Sequence, residues 1–317
     1  MSESSGEVVS AGERSTGRRR LLVDVLVRLV REKPLGTAGA VIVLILFLTG
    51  VFADLLAPYG MNEISLVDRL ASPSREHILG TDNLGRDLLS RIIYGARISM
   101  YVGLAASFLD VFGAIVIGTI SGFVGGKTDL IIQRFVDAWM CFPGLVIFLT
   151  VMSIIGPGLG QVILVLGVSS GIRSSRVVRS AVMNIKENMY VQAALAVGSS
   201  TFWTLIRHIL PNIMAPAIII FTLAMGSMIM AEASLSFLGF GIPPPAPSWG
   251  GMLSGAGRTY MTLAPWMAIW PGLALAIVIY GINMLGDAVR DILDPRLRGG
   301  LGRYEKGLKS STKVQKA

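Results

Sequence analysis

The chain has 317 residues, 52% of them hydrophobic and only 15% charged, with a mean hydropathy of +0.65, a balance well beyond that of ordinary soluble domains and one that points to a bilayer. Its formal charge of +8 would in a soluble protein suggest nucleic acid, but here the basic residues sort by side of the membrane and orient it. One cysteine, Cys141, excludes an intrachain disulfide, and the only two histidines, His77 and His208, fall on opposite sides of the membrane and leave no metal-ligating set.

Residues 1–20 hold Ser, Gly, Glu and Arg with almost no large apolar side chains, so they are expected to be disordered within a tail of residues 1–33. Six apolar stretches follow, at about 37–56, 99–122, 131–155, 159–172, 212–233 and 266–286. A hydrocarbon core of about 30 Å takes roughly 20 residues of helix, and only the fourth stretch is short. No run of alternating ten-residue segments suggests a barrel. The expected fold is therefore an all-α polytopic membrane protein with six transmembrane helices. The first stretch starts too late and runs too long for a cleaved signal peptide, so it reads as a retained anchor, and residues 34–96 as that helix plus an external segment. Cys141, beside Phe142 and Pro143 inside the third stretch, reads as a packing residue.

Of the 28 Lys and Arg residues, 22 fall at one end of these spans: in the N-terminal tail, at Lys127 and Arg134, in the loop carrying Arg173, Arg176, Arg179, Lys186 and Arg207, and in the C-terminal tail of residues 291–317 with Arg290 just before it. That end, and both termini with it, is expected to be cytoplasmic. Gly125-Gly126-Lys127 and Gly156-Pro157-Gly158 read as tight turns.

The cytoplasmic loop is the most structured connection. Val177, Val178, Ala181, Val182, Ile185 and Met189 recur at helical spacing and predict an amphipathic helix leading out of the membrane. Residues 190–197 favour a second helix, ended by Gly198, which takes the left-handed conformation readily. Ser199, Ser200 or Thr201 then caps a further short helix, carrying Phe202, Leu205, Ile206 and Ile209, expected to stop at Leu210-Pro211 because proline donates no backbone hydrogen bond.

Gln192-Ala193-Ala194, then Gly198, then His208-Ile209-Leu210-Pro211 resembles the cytoplasmic loop of binding-protein-dependent ABC permeases: Glu-Ala-Ala, three residues, Gly, nine residues, Ile-x-Leu-Pro. The spacing matches throughout, with Gln192 in place of Glu and His208 in place of Ile. His77 through Asp87, Tyr94 through Ser99, Glu232 through Gly239, Pro247-Ser248-Trp249-Gly250, Leu285-Gly286-Asp287 and Asp294-Pro295-Arg296 are similar to the dipeptide, oligopeptide and nickel branch of that family. The resemblance implies a type I importer transmembrane domain, its core over residues 97–290 and its coupling loop over 173–211, in a multi-pass protein of the plasma or inner membrane. It implies a second homologous permease, two ATP-binding subunits that hold the ATP and Mg, and an external solute-binding protein as partners, besides the lipid bilayer and with no nucleic acid. No cofactor and no catalytic residue is implied in this chain, and it lacks a Gly-x-x-x-x-Gly-Lys-Ser/Thr phosphate loop. Gln192, Ala193, Ala194, Gly198, Arg207, Leu210 and Pro211 are the residues implied to meet the ATPase, the small alanines seating a helix closely in its groove.

On the other side, Thr81, Asp82, Arg86 and Asp87 read either as hydrogen-bonded turn scaffolding or as a docking surface for the solute-binding protein. Charges within spans are costly. Asp137 and Glu232 fit the family pattern as helix-packing residues, whereas Asp110 fits none and either lines the pathway or pairs with the partner permease. An ion-coupled secondary transporter is the competing class, and nickel or an oligosaccharide the competing cargo.

Overall fold

The computed structural model describes residues 29–293. The disordered stretch expected at 1–20, and the C-terminal tail from residue 294 with its Asp-Pro-Arg motif, lie outside the described residues.

Among the described residues the chain is helical, without strands. Helix α1, Pro34–Val51, opens on a proline in its first turn, where its missing N–H leaves no bond unmade, and a short α2, Ala53–Leu56, follows it. A segment with one 3-10 turn at Leu66–Asp68 leads to α3, Leu88–Val124. At 37 residues α3 is about 55 Å long, well past the expected span of 99–122. The Asp87 carboxylate caps it, accepting from the Ser90 N–H at 2.8 Å. Next come α4, Gly126–Met140, α5, Gly144–Ile155, and α6, Leu159–Lys186. Helices α7, Met189–Ala196, and α8, Thr201–Thr204, form the loop, and a π-type turn at Leu205–Ile209 leads into α9, Leu210–Phe237. Two short helices, α10, Trp249–Leu253, and α11, Gly255–Thr259, precede α12, Trp266–Leu293.

Four helical runs are long and apolar enough to cross a bilayer: α1, α3, the run from Thr201 to Phe237, and α12. The expected third span is not one helix. It breaks at Cys141-Phe142-Pro143, and α4 and α5 meet at 89°, because Pro143 cannot donate to the helix before it and instead starts the next. Counted together they make a fifth, bent span. Cys141 at this elbow is exposed, its thiol donating to the Asp137 carbonyl at 3.3 Å, so it does not have the packing role expected of it.

The expected short fourth span and the amphipathic helix after it are one 28-residue helix, α6. It runs parallel to α3 at backbone distance: a side chain in place of Gly118 would meet the Ser175 carbonyl oxygen, and one in place of Gly171 the Asp110 carbonyl oxygen. Val178 and Val182 of the predicted apolar face are fully buried, but Val177 is exposed and Met189, beyond the helix end, is 87% exposed. Helix α1 packs antiparallel on α12, where Gly36 faces Ala288 and Gly39 faces Gly281, and the Lys33 ammonium meets the Asp291 carboxylate at 2.5 Å.

These contacts define two faces. One gathers the start of α1, the ends of α3, α6 and α12, and the loop between α6 and α9. The opposite one gathers the start of α3, the end of α9 and the turn between α5 and α6, where the Gly158 N–H donates to the Gly241 carbonyl at 3.0 Å.

Candidate functional site

The loop between α6 and α9 is held to the bundle by three buried side chains, Val191, Thr204 and Ile209. Val191 of α7 is fully buried in a cluster with Phe123, Val178, Val182, Ile209 and Ile213, a burial worth about 1.5–3 kcal/mol. Around that anchor the surface is apolar and open: Met189 is 87% exposed, Val197 90%, Phe202 69% and Trp203 60%. Exposed aromatics at a helix turn mark a protein-binding surface when they cluster in this way.

The family pattern has Glu where this chain has Gln192, and the structure shows what the amide does there. Its Nε2 donates to the carbonyl of Lys186, the last residue of α6, at 2.8 Å. A carboxylate has no hydrogen to donate, so the glutamine ties α7 to an otherwise unpaired helix end. Ala193 is exposed and Ala194 half-buried. Gly198 stands at φ +92°, and there the Gly198 and Ser199 N–H groups close α7 on the Leu195 and Ala194 carbonyls, both at 3.0 Å. Nothing lies within 4 Å of where a Gly198 side chain would start, so only backbone conformation requires glycine.

Of the three capping candidates Ser200 serves, accepting from the Trp203 N–H at 3.4 Å. The helix does not stop at Pro211. The wider π turn, with the Leu210 N–H bonded to the Leu205 carbonyl, makes room for the proline ring and lets the chain run on into α9. Phe202 and Ile206 are exposed, while Ile209 is buried. Arg207 and Pro211 are exposed and Leu210 half-buried, and the Tyr190 and His208 rings, 5.9 Å apart, connect α7 to the π turn.

Above the loop, three arginines of α6 spaced three residues apart tie it to α4 and to the elbow that follows α4. Arg179 makes a two-point pair with Asp129 at 2.6 and 2.5 Å, Arg176 pairs with Asp137, and Arg173 donates to the Phe142 carbonyl at 3.2 Å. Asp129 went unnoticed in the sequence. The signal was available in the Arg-x-x-Arg-x-x-Arg spacing of α6 set against two acids eight residues apart on α4.

The other singled-out residues do not join this site. Thr81, Asp82 and Asp87 are buried at the opposite face. Asp82 accepts from the Leu84 and Arg86 N–H groups and from Arg86 Nε. Asp87 takes the Ser90 hydroxyl at 2.8 Å and lies 3.0 Å from His77 Nδ1. Thr81 donates to the Asp68 carbonyl at 2.5 Å. This is a scaffold that sets the start of α3. Asp110 is 2% exposed where α6 packs on α3, with Oδ1 unpaired. Glu232 is fully buried and accepts from the Ser236 hydroxyl at 2.6 Å. Among the described residues no group of His, Cys, Asp or Glu is arranged to hold a metal ion.

The long apolar helices fit an integral-membrane protein, and comparison with known proteins gives its family. Residues 114–299 match the binding-protein-dependent transport system inner membrane component family, and residues 21–73 match the N-terminal TM domain of oligopeptide transport permease C. The oligopeptide transport system permease protein OppC of Bacillus subtilis (strain 168) is 37% identical over 275 residues, 87% of this chain and 90% of the relative. The dipeptide transport system permease protein DppC of Alkalihalophilus pseudofirmus is 37% identical over 85% of this chain and 88% of its own, and the glutathione transport system permease protein GsiD of Shigella flexneri 36% over 86% and 90%. A solved structure, the inward-facing MetNI methionine ABC transporter, aligns over 64% of this chain and 96% of its own with a TM-score of 0.49 at 18% identity. The chain belongs to the family of binding-protein-dependent transport system inner membrane components. It is a multi-pass permease subunit of an ABC importer, which works with ATPase and substrate-binding partners.

Proposed function

We propose that this permease forms half of the translocation pathway for di- or oligopeptides, with a second homologous permease as the other half and two ATP-binding subunits docked on the loop of residues 173–211. The names of the relatives, which are permeases for oligopeptides, dipeptides and glutathione, support the cargo. The chain itself performs no covalent chemistry in this reading. It crosses the membrane six times, through α1, α3, the bent α4–α5 pair, α6, α9 and α12, with both termini in the cytoplasm beside the basic residues. Residues 1–33 are the cytoplasmic tail, 34–96 the first helix and external segment, 97–290 the core and 291–317 the second tail. Thr81, Asp82, Arg86 and Asp87 shape the external docking face by holding its backbone, and Asp110 acts in the packing of α3 on α6.

The single observation that supports coupling is a rigid apolar tip on a buried anchor: Val191 fully buried beneath exposed Val197, Phe202 and Trp203. Alanines 193 and 194 allow close seating of α7, Gln192 fixes it to α6, and Gly198 reverses the chain. Leu210 and Pro211 carry the motion through the π turn into α9, and exposed Arg207 suits an acidic rim on the ATPase. Cysteine pairs between Val197 and the ATPase subunits, tested by cross-linking in membranes with and without ATP, check the assignment. Efficient cross-links that change with nucleotide are expected, and cross-linking to external reagents alone would overturn it.

A further inference from the structure

At the face opposite the coupling loop lies a cavity of about 460 Å³, where the segment before α3, the turn between α5 and α6, and the loop from α9 to α11 converge. Its charged lining consists of Asp82, Arg86 and Arg91, among the described residues. Both Asp82 oxygens are already engaged, Oδ1 by the Leu84 and Arg86 N–H groups at 2.8 and 3.0 Å and Oδ2 by Arg86 Nε at 2.7 Å. Arg91 Nε lies 3.8 Å from Oδ2, and Arg91 Nη1 donates to the Met61 carbonyl at 3.0 Å. Both Nη groups of Arg86 and Nη2 of Arg91 have no protein partner among the described residues. The two guanidinium side chains are only 14% and 8% exposed. Two shielded cations face one anion that is already satisfied, and a buried charge without a counter-ion is costly. Across the cavity are Pro157 and the Ser236 and Ser248 hydroxyls; the Ser236 hydroxyl donates at 2.6 Å to Glu232, a fully buried carboxylate that does not itself line the cavity.

We propose that this cavity binds the carboxylate of a small ligand, with Arg86 and Arg91 as the receiving groups. A guanidinium fork matches a carboxylate in geometry, and the volume falls within the usual few hundred Å³ of small-ligand sites. A free di- or tripeptide terminus is the occupant of this size and charge. The proposal rests on the importer reading only for the expectation that peptides are the carboxylates presented at this face.

The test is calorimetric titration of Ala-Ala, and separately of its C-terminal amide, into the assembled transporter in nanodiscs without binding protein or ATP. Saturable binding of the acid is expected, at least tenfold weaker for the amide and for the Arg86→Gln variant. Ala246→Phe, which puts a ring at the cavity wall and alters neither arginine, is expected to weaken the binding at least tenfold without loss of complex. Equal affinity for acid and amide, binding unchanged by Ala246→Phe, or no binding until the binding protein is added would each overturn the proposal, the last by assigning the cavity to an acidic side chain of that protein. A complex that binds Ala-Ala here yet shows no nucleotide-dependent Val197 cross-link would retain this site while refuting the coupling reading.

Discussion

The Arg179 guanidinium and the Asp129 carboxylate meet fork to fork, Nε to Oδ1 at 2.6 Å and Nη2 to Oδ2 at 2.5 Å, and so fasten α6 to α4 about two turns before α6 ends at Lys186. Ser121 of α3 donates to the same Asp129 oxygen at 2.5 Å, and the Gln133 amide donates to Ser121 at 2.9 Å. The pair is thus the centre of a small polar network that joins three helices.

Charge-assisted bonds of this kind are each worth about 1.5–3 kcal/mol, and the two side chains are largely shielded. Arg179→Ala and Asp129→Asn are each expected to lower the melting temperature of the purified complex. In the double variant the losses should fall short of additive by about 1 kcal/mol or more. Arg179→Lys, which keeps the charge but not the fork, is expected to recover less than half of the loss.

Gly198 sits at φ +92° with open space around it. A non-glycine residue there costs about 1–2 kcal/mol of local backbone energy, too little to unfold the bundle but enough to move the tip. Gly198→Asp is expected to insert and assemble normally while uptake falls at least tenfold, and Gly198→Asn, which tolerates this conformation better, to retain more. Quantitative membrane blotting beside radiolabelled uptake separates the two effects. Uptake at the parental rate by Gly198→Asp would refute the lever.

Phe202 and Trp203 are exposed and contribute little to the fold of the isolated chain. Replacing both by alanine is expected to leave its melting temperature within about 1 °C, since surface changes are usually within ±0.5 kcal/mol. Recovery of the ATPase subunits in pull-downs should nevertheless fall about tenfold, in keeping with truncation of interface aromatics. Val191→Asp should do the reverse, destabilising the chain itself through an unpaired buried charge.

Asp110 lies closed between α3 and α6, 2% exposed, with one carboxylate oxygen unpaired. Asp110→Asn removes a charge from that seam without changing its size. It is expected to keep the range of transported peptides and to hold or raise thermal stability. Uptake measured over a panel of peptides of differing charge checks this, and an altered preference would return Asp110 to the pathway.

Much of this was legible in the chain because the signals are local. Hydropathy marked the long apolar helices, and Gly198 marked the reversal. The sequence misled where a local rule met a tertiary one. Pro211 read as a stop, but one π turn absorbs it and the helix continues. The stretch of residues 131–155 read as one span because hydropathy does not register direction, and only Pro143 marked the 89° elbow. Asp129 was overlooked because its partner lies 50 residues away. The external cavity could not be foreseen, since its walls come from segments that only the folded bundle brings together.

The seating of α1 against α12, Gly36 on Ala288 and Gly39 on Gly281, also sets an order of events during biosynthesis. Helix α1 docks along α12, which is made after every helix between them, so α1 waits in lipid while those helices are made. A lone apolar helix is stable in that solvent, because its backbone bonds are all internal, and pairing of preformed helices can follow insertion. Completion of the bundle is therefore a late docking step, and the Lys33–Asp291 bridge is among the last contacts the newborn chain is able to make.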